Sequence, residues 1–214
     1  MTVPHPTPIL RFVHVDNLHI CLQRGGIHAP NFTPNDGLVY KTIHNPDIQA
    51  HRRVRSIRRG PGGVVHDYVA FYFGYLSPML LLLKTGRVTG YNEGQAPLVY
   101  LVSTAQAVRD SGDGFVFSDG HGITKYTDWY DDLNDLHRVD WSIVYNRYWA
   151  DTLEDMDRQR RKQAEFLVHR FCNWSLIQEI AVIDSRVKER VEEIQAGFAA
   201  DMRRRIVVRR EWYY

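Results

Sequence analysis

The feature that most constrains the fold is a set of short apolar segments at irregular intervals along the chain. Residues 67–75 read DYVAFYFGY and residues 98–103 read LVYLVS. Both are rich in aromatic and β-branched residues, which favour buried strands, so we expect a β-sheet at the centre of the protein. Further short strands are predicted at Ile9–Val15, Phe115–Phe117, Glu179–Ile183 and Arg205–Arg209.

Two helical patterns accompany these strands. Asp16 is predicted to cap a helix that ends at the Gly25–Gly26 turn. A second helix is predicted to begin at Ser185, with apolar residues along one face. Because strands and helices are mixed without a regular βαβ alternation, we expect an α+β fold, with residues 1–214 in a single domain.

The composition excludes several classes of protein. Hydrophobic residues make up 44% of the chain and charged residues 24%, as in ordinary globular domains. The longest apolar run, Pro78–Leu83, is much shorter than the ~20 residues that a membrane-spanning helix needs. The first residues lack the pattern of a secretory signal, and two cysteines are too few for a disulfide framework. We therefore expect a cytoplasmic protein without membrane contact.

The net charge of +2 conceals an uneven distribution. Residues 1–103 carry 10 basic and 5 acidic side chains, residues 104–157 carry 4 and 12, and residues 158–214 carry 13 and 8. The two basic blocks that flank the acidic block raise the question of an anionic ligand. Residues 119–157 also show little periodicity, and such long irregular regions inside compact domains are usually functional.

The usual metal and nucleotide motifs are missing from the sequence. Spacings such as CxxC or HExxH do not occur and the ten histidines are scattered, so no metal site is expected. The glycine-rich turn at residues 60–63 lacks the Lys-Ser/Thr of a phosphate-binding loop, and there is no GxGxxG motif. A bound nucleotide would have to be held in another way.

An arginine cluster between residues 52 and 59 has two interpretations. As a solvated loop it needs no ligand. As an anion site, its forked donors suit pyrophosphate or DNA phosphates. The aromatic residues that follow, including Tyr72 and Tyr75, either belong to the core or stack on bases or a nicotinamide ring.

Glu165 stands alone in a run that is otherwise basic or apolar. One interpretation is a glutamate paired with a near neighbour, Arg161 or His169. The other is a carboxylate at the entry to a buried strand, where it stabilises a cationic centre or accepts a proton.

Several short segments, taken together, are distinctive. They are RFVHVDNL (11–18), NPDIQAHR (45–52), GPGGVVHDYVAFYF (60–73), SPML (77–80), LVYLVS (98–103), FVFSDGH (115–121), VDW (139–141), AEFLVHR (164–170) and EWYY (211–214). In this order and with this spacing, which span nearly the whole chain, they resemble the DarT family, the DNA ADP-ribosyltransferase toxins of toxin–antitoxin pairs.

The resemblance implies an ADP-ribosyltransferase fold, in which a split, mixed sheet surrounds a cleft for NAD. Family members use an arginine after an Asn-Pro loop and a glutamate in an AEFLV-like motif as the catalytic pair. By the resemblance these correspond to Arg52 and Glu165. The residues expected at the dinucleotide are Arg11, His14, Asn17, Arg52 and Tyr72.

By the same resemblance, residues 119–163 form a substrate loop over the cleft. We expect the carboxylates of the acidic block to face solvent or to pair with neighbouring arginines, which leaves the aromatic residues and His121 for the DNA strand. The residues expected at the DNA are His121, Met79, Tyr75 and Arg160.

The implied reaction transfers ADP-ribose from NAD to a base of single-stranded DNA, with thymine favoured, in a sequence-dependent manner; it releases nicotinamide and blocks DNA replication. Two alternatives stay open: the same chemistry on guanine in DNA or on RNA, and a non-catalytic nucleic-acid-binding module. The implied partners are single-stranded DNA and a macrodomain antitoxin similar to DarG.

Overall fold

An eight-stranded mixed sheet forms the centre of the protein in the computed structural model, which describes residues 2–214. The strands in chain order are β1 (Pro8–His14), β2 (Gly26–His28), β3 (Tyr68–Tyr72), β4 (Leu98–Thr104), β5 (Phe115–Ser118), β6 (Trp129–Tyr130), β7 (Glu165–His169), β8 (Phe171–Asn173), β9 (Glu179–Val182) and β10 (Arg205–Val208).

The main sheet has the order β10-β9-β4-β1-β3-β7-β5-β6, and β2 pairs separately with β8. Within the main sheet β9 and β10 are parallel, and the other neighbouring strands are antiparallel. The helices are α1 (Leu18–Gln23), α2 (Pro46–Val54), α3 (Pro78–Lys84), α4 (Ala105–Asp110), α5 (Trp141–Val144), α6 (Arg158–Lys162) and α7 (Ser185–Ala196). None of the helices formed by residues 2–214 has the length and apolar character needed to cross a membrane.

This architecture confirms the expected α+β class. The predicted strands are observed with ends shifted by a few residues at most, and α7 begins at Ser185 as predicted. The amphipathic pattern of α7 also holds, since Val187 and Val191 are buried on its inner face.

The predicted cap at Asp16 is wrong. A 3-10 turn, Val15–Asn17, follows β1 directly, and the His14 side chain accepts a hydrogen bond from the Asp16 backbone N–H. Helix α1 then begins at Leu18 without a side-chain cap at Asn17. The strand therefore passes into the helix through a tight turn. Asp16 lies inside this turn and not at the position directly before the helix, so it cannot act as the cap.

The main sheet is split between β1 and β3. Strand β1 pairs with β4 over seven residues, and β3 pairs with β7 over five. Between β1 and β3 the only pair of facing residues is Leu10 and Tyr72. Two well-paired half-sheets thus diverge from a single point of backbone pairing, and a cleft opens between them.

The apolar core lies on both sides of this junction. Strand β4 is buried over its whole length, and Phe73 packs edge-on against Phe117, Trp141 and Phe166. Such aromatic pairs contribute packing energy beyond their buried area. Residues of both half-sheets belong to one buried apolar cluster, which holds the half-sheets together beside the cleft.

The last two residues of the described chain fasten distant parts of the sheet. The buried Tyr213 hydroxyl lies 2.9 Å from the carbonyl oxygen of Leu98 and 3.2 Å from that of Ala181. The Tyr214 hydroxyl donates to the Leu76 carbonyl oxygen (2.6 Å) and accepts from the Trp149 indole (2.6 Å). The terminal segment thereby links β4, β9 and the chain that follows β3.

We expect Tyr213→Phe to lower the free energy of unfolding by about 1–3 kcal/mol, because it removes a donor from buried carbonyl groups. Urea titration measures the change. Tyr148→Phe is the matched control, since Tyr148 is 79% exposed. Equal midpoints for the two variants would contradict the assigned role of Tyr213.

A buried lysine anchors the middle of residues 119–163. Lys162, at the end of α6, is 2% exposed, and its Nζ donates to the carbonyl oxygens of Val144 (2.6 Å) and Asn146 (3.0 Å). No carboxylate among the described residues pairs with it. Burial therefore lowers the pKa of Lys162 to about 7.

This pKa predicts a pH dependence of stability. The unfolded chain holds the Lys162 proton up to a pH near 10.5, whereas the folded protein releases it from about 7. Stability therefore rises with pH between these values, with a slope of up to about 1.4 kcal/mol per pH unit from this residue. Urea titrations at several pH values should show a smaller slope for Lys162→Met than for the parent protein. Identical slopes would exclude this titration.

Candidate active site

Helix α2 brings an arginine into the interior. Asn45 caps this helix with its side-chain oxygen, which accepts hydrogen bonds from the Asp47 and Ile48 backbone N–H groups, and Pro46 occupies the first turn. This is the sequence pattern of a helix start. Arg52, in the last turn, is the one buried residue of α2.

Strand β7 begins with a buried carboxylate. Glu165 is 2% exposed and lies opposite Tyr72, the last residue of β3. Its backbone N–H donates to the Ser118 hydroxyl oxygen (3.2 Å), and that hydroxyl donates to the Gly120 carbonyl oxygen (2.7 Å). The position of Glu165 is therefore set by neighbours on both sides, at the edge of the cleft.

Arg52 and Glu165 form a buried ion pair. Arg52 Nη1 lies 2.8 Å from Oε1 and 3.0 Å from Oε2 of Glu165. Burial lowers the pKa of Arg52, but the adjacent carboxylate more than offsets this effect, so the pKa lies above its ordinary value. The structure thus joins two predicted residues that are 113 positions apart.

The local pairing considered for Glu165 is wrong. Arg161 instead forms ion pairs with Asp140 and Asp155, and the His169 ring packs against Tyr68. Glu165 lies in a strand and not in a helix, so side chains four residues away along the chain do not lie next to it.

The ion pair lies in a cleft of about 660 Å³ at the split in the sheet. This volume is in the range of small-molecule and cofactor sites. The predicted residues that line the cleft are Arg11, Asn17, Arg52, Tyr72, Met79, His121 and Glu165.

Arg11 carries a half-buried charge in this cleft without a counter-ion among the described residues. Its Nη1 donates to the Ala70 carbonyl oxygen across the split (2.8 Å), and its Nε is buried without a hydrogen-bond partner. No carboxylate among residues 2–214 forms an ion pair with it. Burial lowers the pKa of Arg11, and the charge of Arg52 adds to this effect. The residue is therefore suited to an anionic ligand.

Asn17 and His14 hold local structure. The Asn17 side chain exchanges two hydrogen bonds with the backbone of Lys41 (2.7 and 2.8 Å) and so ties down the loop before α2. His14 does not line the cleft. It is 1% exposed, its Nδ1 accepts from the Asp16 N–H, and its Nε2 lies 3.2 Å from a Glu93 carboxylate oxygen.

The predicted aromatic residues have different surroundings. Tyr72 stacks on Phe12, and burial together with the charge of Glu165 raises the pKa of its phenol, which therefore stays protonated. Tyr75 does not line the cleft. Its ring stacks on Trp212, with the centroids 5.5 Å apart and the planes 5° apart, and it also packs near Tyr145.

His121 approaches the ion pair from the acidic block. Its backbone is fixed by hydrogen bonds to Arg160 and Thr127. Burial lowers the pKa of the His121 ring; the charge of Glu165 opposes this shift and that of Arg52 adds to it, and the net shift is downward, so the ring is neutral near pH 7. The next residue packs closely here, because a Cβ at Gly122 would lie 3.3 Å from a Glu165 carboxylate oxygen and 3.1 Å from the Trp129 ring.

Arg160 does not line the cleft and forms ion pairs with two carboxylates. It donates to both carboxylate oxygens of Asp157 (2.7 and 2.8 Å) and to Asp119 (3.0 Å), and its guanidinium group lies over the Tyr126 ring. These contacts and the Arg161 pairs confirm that several carboxylates of the acidic block pair with neighbouring arginines.

Two residues at this site were not predicted from the sequence. Ser118 positions the backbone of Glu165. His44 lines the cleft, and burial followed by the charges of Arg11 and Arg52 lowers its pKa. His44 directly precedes the Asn45-Pro46 start of α2, and this position in the sequence could have indicated that it lies near Arg52. Among residues 2–214 no group of three or more His, Cys, Asp or Glu side chains could hold a metal ion.

Comparison with known proteins gives a consistent result. A family model described as "ssDNA thymidine ADP-ribosyltransferase, DarT" matches residues 10–214. A DNA ADP-ribosyl transferase of Thermus sp. (strain 2.9) is 42% identical over 213 residues, covering 100% of this chain and 99% of the relative.

Solved structures agree with the sequence comparison. Thermus sp. 2.9 DarT in complex with ADP-ribosylated ssDNA superposes with a TM-score of 0.93 at 41% identity, covering 100% of this chain and 99% of the other. The same protein in complex with NAD+ gives a TM-score of 0.89 at 40% identity, with both chains fully covered. The split sheet is accordingly that of an ADP-ribosyltransferase, and the chain belongs to the DarT family of single-stranded-DNA thymidine ADP-ribosyltransferases.

Proposed function

We propose that this chain, acting as a single ADP-ribosyltransferase domain, transfers ADP-ribose from NAD to thymidine in single-stranded DNA, with Glu165 and Arg52 as the catalytic pair. The observation that carries the proposal is the buried ion pair of these residues at the edge of a cleft in an ADP-ribosyltransferase fold. The relatives of known structure hold NAD+ and ADP-ribosylated ssDNA.

Glu165 acts on both reactants. As the bond between nicotinamide and the ribose C1′ breaks, nicotinamide leaves with the electron pair and positive charge develops on the ribose, which a carboxylate stabilises. A thymine ring nitrogen then forms the new bond to C1′, and Glu165 takes the proton that this nitrogen loses. The charge of Glu165 is therefore needed both before and during transfer.

Arg52 and Arg11 supply the positive charge for the dinucleotide. Arg52 uses only Nη1 to hold Glu165, and its Nε and Nη2 have no hydrogen-bond partner among residues 2–214. Arg11 has an unpartnered Nε and no carboxylate nearby. Two guanidinium groups with free donors suit the two negative charges of a pyrophosphate. Tyr72, with its protonated phenol beside Glu165, completes this end of the cleft.

The substrate side is formed by residues 119–163 together with α3. The neutral ring of His121 can donate a hydrogen bond to a base or accept one from it. Met79 offers an apolar surface in the same cleft. Arg160 contributes indirectly, because its carboxylate contacts hold the loop that carries His121. Tyr75 and His14 act through packing rather than by touching a reactant.

Two other activities considered from the sequence make different predictions. A guanine or RNA transferase of the same fold would modify oligonucleotides that lack thymidine. A non-catalytic binding module would bind DNA with no dependence on NAD, and it would have no use for a buried ion pair in a cleft. We further propose that the modification blocks replication and that a macrodomain antitoxin similar to DarG opposes it, as the family resemblance implies.

The function is tested by incubating the protein with NAD and single-stranded oligonucleotides that each contain one kind of base. We expect a mass increase of one ADP-ribose on the thymidine oligonucleotide alone, read by mass spectrometry with fragmentation to locate the base. Modification of a guanosine or RNA oligonucleotide instead would replace the proposal by its alternative.

We expect Glu165→Gln to lower kcat by about 10²–10⁴-fold, the usual contribution of a general base. The substitution also leaves Arg52 as a buried charge without a counter-ion, which costs about 3–5 kcal/mol of stability. Activity is therefore compared below the melting transition of the variant. Glu189→Gln, an exposed residue of α7, is the matched control and should retain full activity. A Glu165→Gln protein with unchanged kcat would remove Glu165 from the mechanism.

We expect Arg11→Met to raise the KM for NAD by roughly 10–100-fold, since a charge-assisted hydrogen bond contributes about 1.5–3 kcal/mol. The KM for the oligonucleotide should stay unchanged. Arg11→Lys, which keeps the charge but loses the fork, should be intermediate. Equal changes in both KM values would indicate a general disturbance of the cleft and contradict the specific role.

A further inference from the structure

A second concave surface lies beside the catalytic cleft. This surface, here named the basic groove, has a volume of about 890 Å³ and runs between the end of α2 and strand β6. Ile123 lines both the groove and the cleft. Asp128 is the one carboxylate among its lining residues. The positively charged residues that line it are Arg55, Arg58, Arg59, Lys125 and Arg138.

The charges of the basic groove are not neutralised by the protein. Arg58 and Arg59 are exposed, and neither they nor Lys125 and Arg138 form an ion pair with any carboxylate of residues 2–214. The arginines of α6 are the opposite case, since Arg160 and Arg161 are each held by more than one aspartate. Unpaired like charges in one concavity raise the local concentration of a polyanion.

The groove also has an aromatic wall. Trp129 and Tyr130 form it, and the Trp129 indole nitrogen is buried without a hydrogen-bond partner. An indole N–H is a donor only, and when buried it usually meets an acceptor. Both rings are half-buried, and one face of Tyr130 stacks on Phe117. Aromatic rings beside several cations are the combination that single-stranded nucleic acids use, with bases on the rings and phosphates on the cations.

An arginine of the basic groove holds the segment 122–124, which lies between the groove and the cleft. Arg55 donates to the carbonyl oxygens of Gly122 (3.3 Å) and Thr124 (3.0 Å). Gly122 is the residue that packs beside the Glu165 carboxylate. Ile123, the residue after Gly122, lines both the cleft and the basic groove. A DNA strand whose target base enters the cleft at Glu165 can therefore continue directly into the positively charged groove.

We propose that the basic groove binds the part of the single-stranded DNA that flanks the modified thymidine, through phosphate contacts from Arg58 and Arg59 and base stacking on Trp129. The inference rests on the function proposed above. It adds a binding surface that recognises the backbone rather than the sequence, so its contribution should depend on oligonucleotide length and on salt.

The test compares two oligonucleotides with one central thymidine, one of about 4 nucleotides and one of about 16, which bracket common site sizes on single strands. For the double variant Arg58→Glu/Arg59→Glu we expect the KM of the long oligonucleotide to rise by roughly tenfold, with kcat and the KM of the short one unchanged. The slope of log KM against log salt for the long oligonucleotide should fall by about 0.7 for each phosphate that the variant no longer neutralises.

The matched control is Arg186→Glu/Arg205→Glu, which makes the same change in charge at exposed positions of α7 and β10, at the far edge of the sheet. If this control raises the long-oligonucleotide KM as much as the groove variant does, or if the groove variant leaves that KM unchanged, the inference is overturned.

Failure of the proposed function would be seen separately. If the parent protein modifies no oligonucleotide, the catalytic proposal fails, and the groove is tested by fluorescence anisotropy of the long oligonucleotide without NAD. Weaker binding by the groove variant than by the control supports the inference there, and equal binding overturns it.

Discussion

The buried ion pair between Arg52 and Glu165 connects two parts of the chain that reach the cleft by independent routes. Helix α2 brings the arginine from a loop region, and β7 brings the glutamate from the centre of one half-sheet. Each ion loses several kcal/mol of hydration on burial, so the geometry must be kept for the pair to be tolerated. An apolar pair of similar volume would often be equally stable. The charges are therefore best explained by the catalytic role proposed for them.

The charge around this pair depends on which arginine side chains are already paired with carboxylates. The carboxylates of the acidic block are partly used on Arg160 and Arg161, which gives a rigid loop rather than a repulsive surface. Arg11 in the cleft and the arginines of the basic groove keep their charges free. A chain with a net charge of +2 can thus present local positive surfaces of two kinds, one enclosed and one open.

The sequence predicts this fold well where burial leaves a local pattern. Segments such as Leu98–Thr104 and Ser185–Ala196 show their strand or helix character within a few residues. Contacts between distant residues leave no such pattern. The partner of Glu165 is 113 positions away, so only the family resemblance pointed to Arg52, and reasoning from neighbours selected the wrong partner.

Side-chain placement was harder to predict than residue type. Tyr75 and His14 lie in suitable motifs, but one stacks on Trp212 and the other hydrogen bonds beside Glu93. Strand alternation and turn geometry decide on which side of the sheet each lies, and a shift of one residue reverses that side. Ser118 was missed for a related reason, because a serine that supports a backbone N–H has no sequence signature.

The single pair of facing residues between β1 and β3 has a mechanical consequence. Most sheets resist bending at their centre, because several ladder hydrogen bonds would have to break together. In this protein the centre has the fewest ladder pairs, and a shared apolar core joins the two flanking ladders there. The space beside Glu165 lies where backbone pairing is weakest, so a long dinucleotide can enter between the two ladders without breaking either of them.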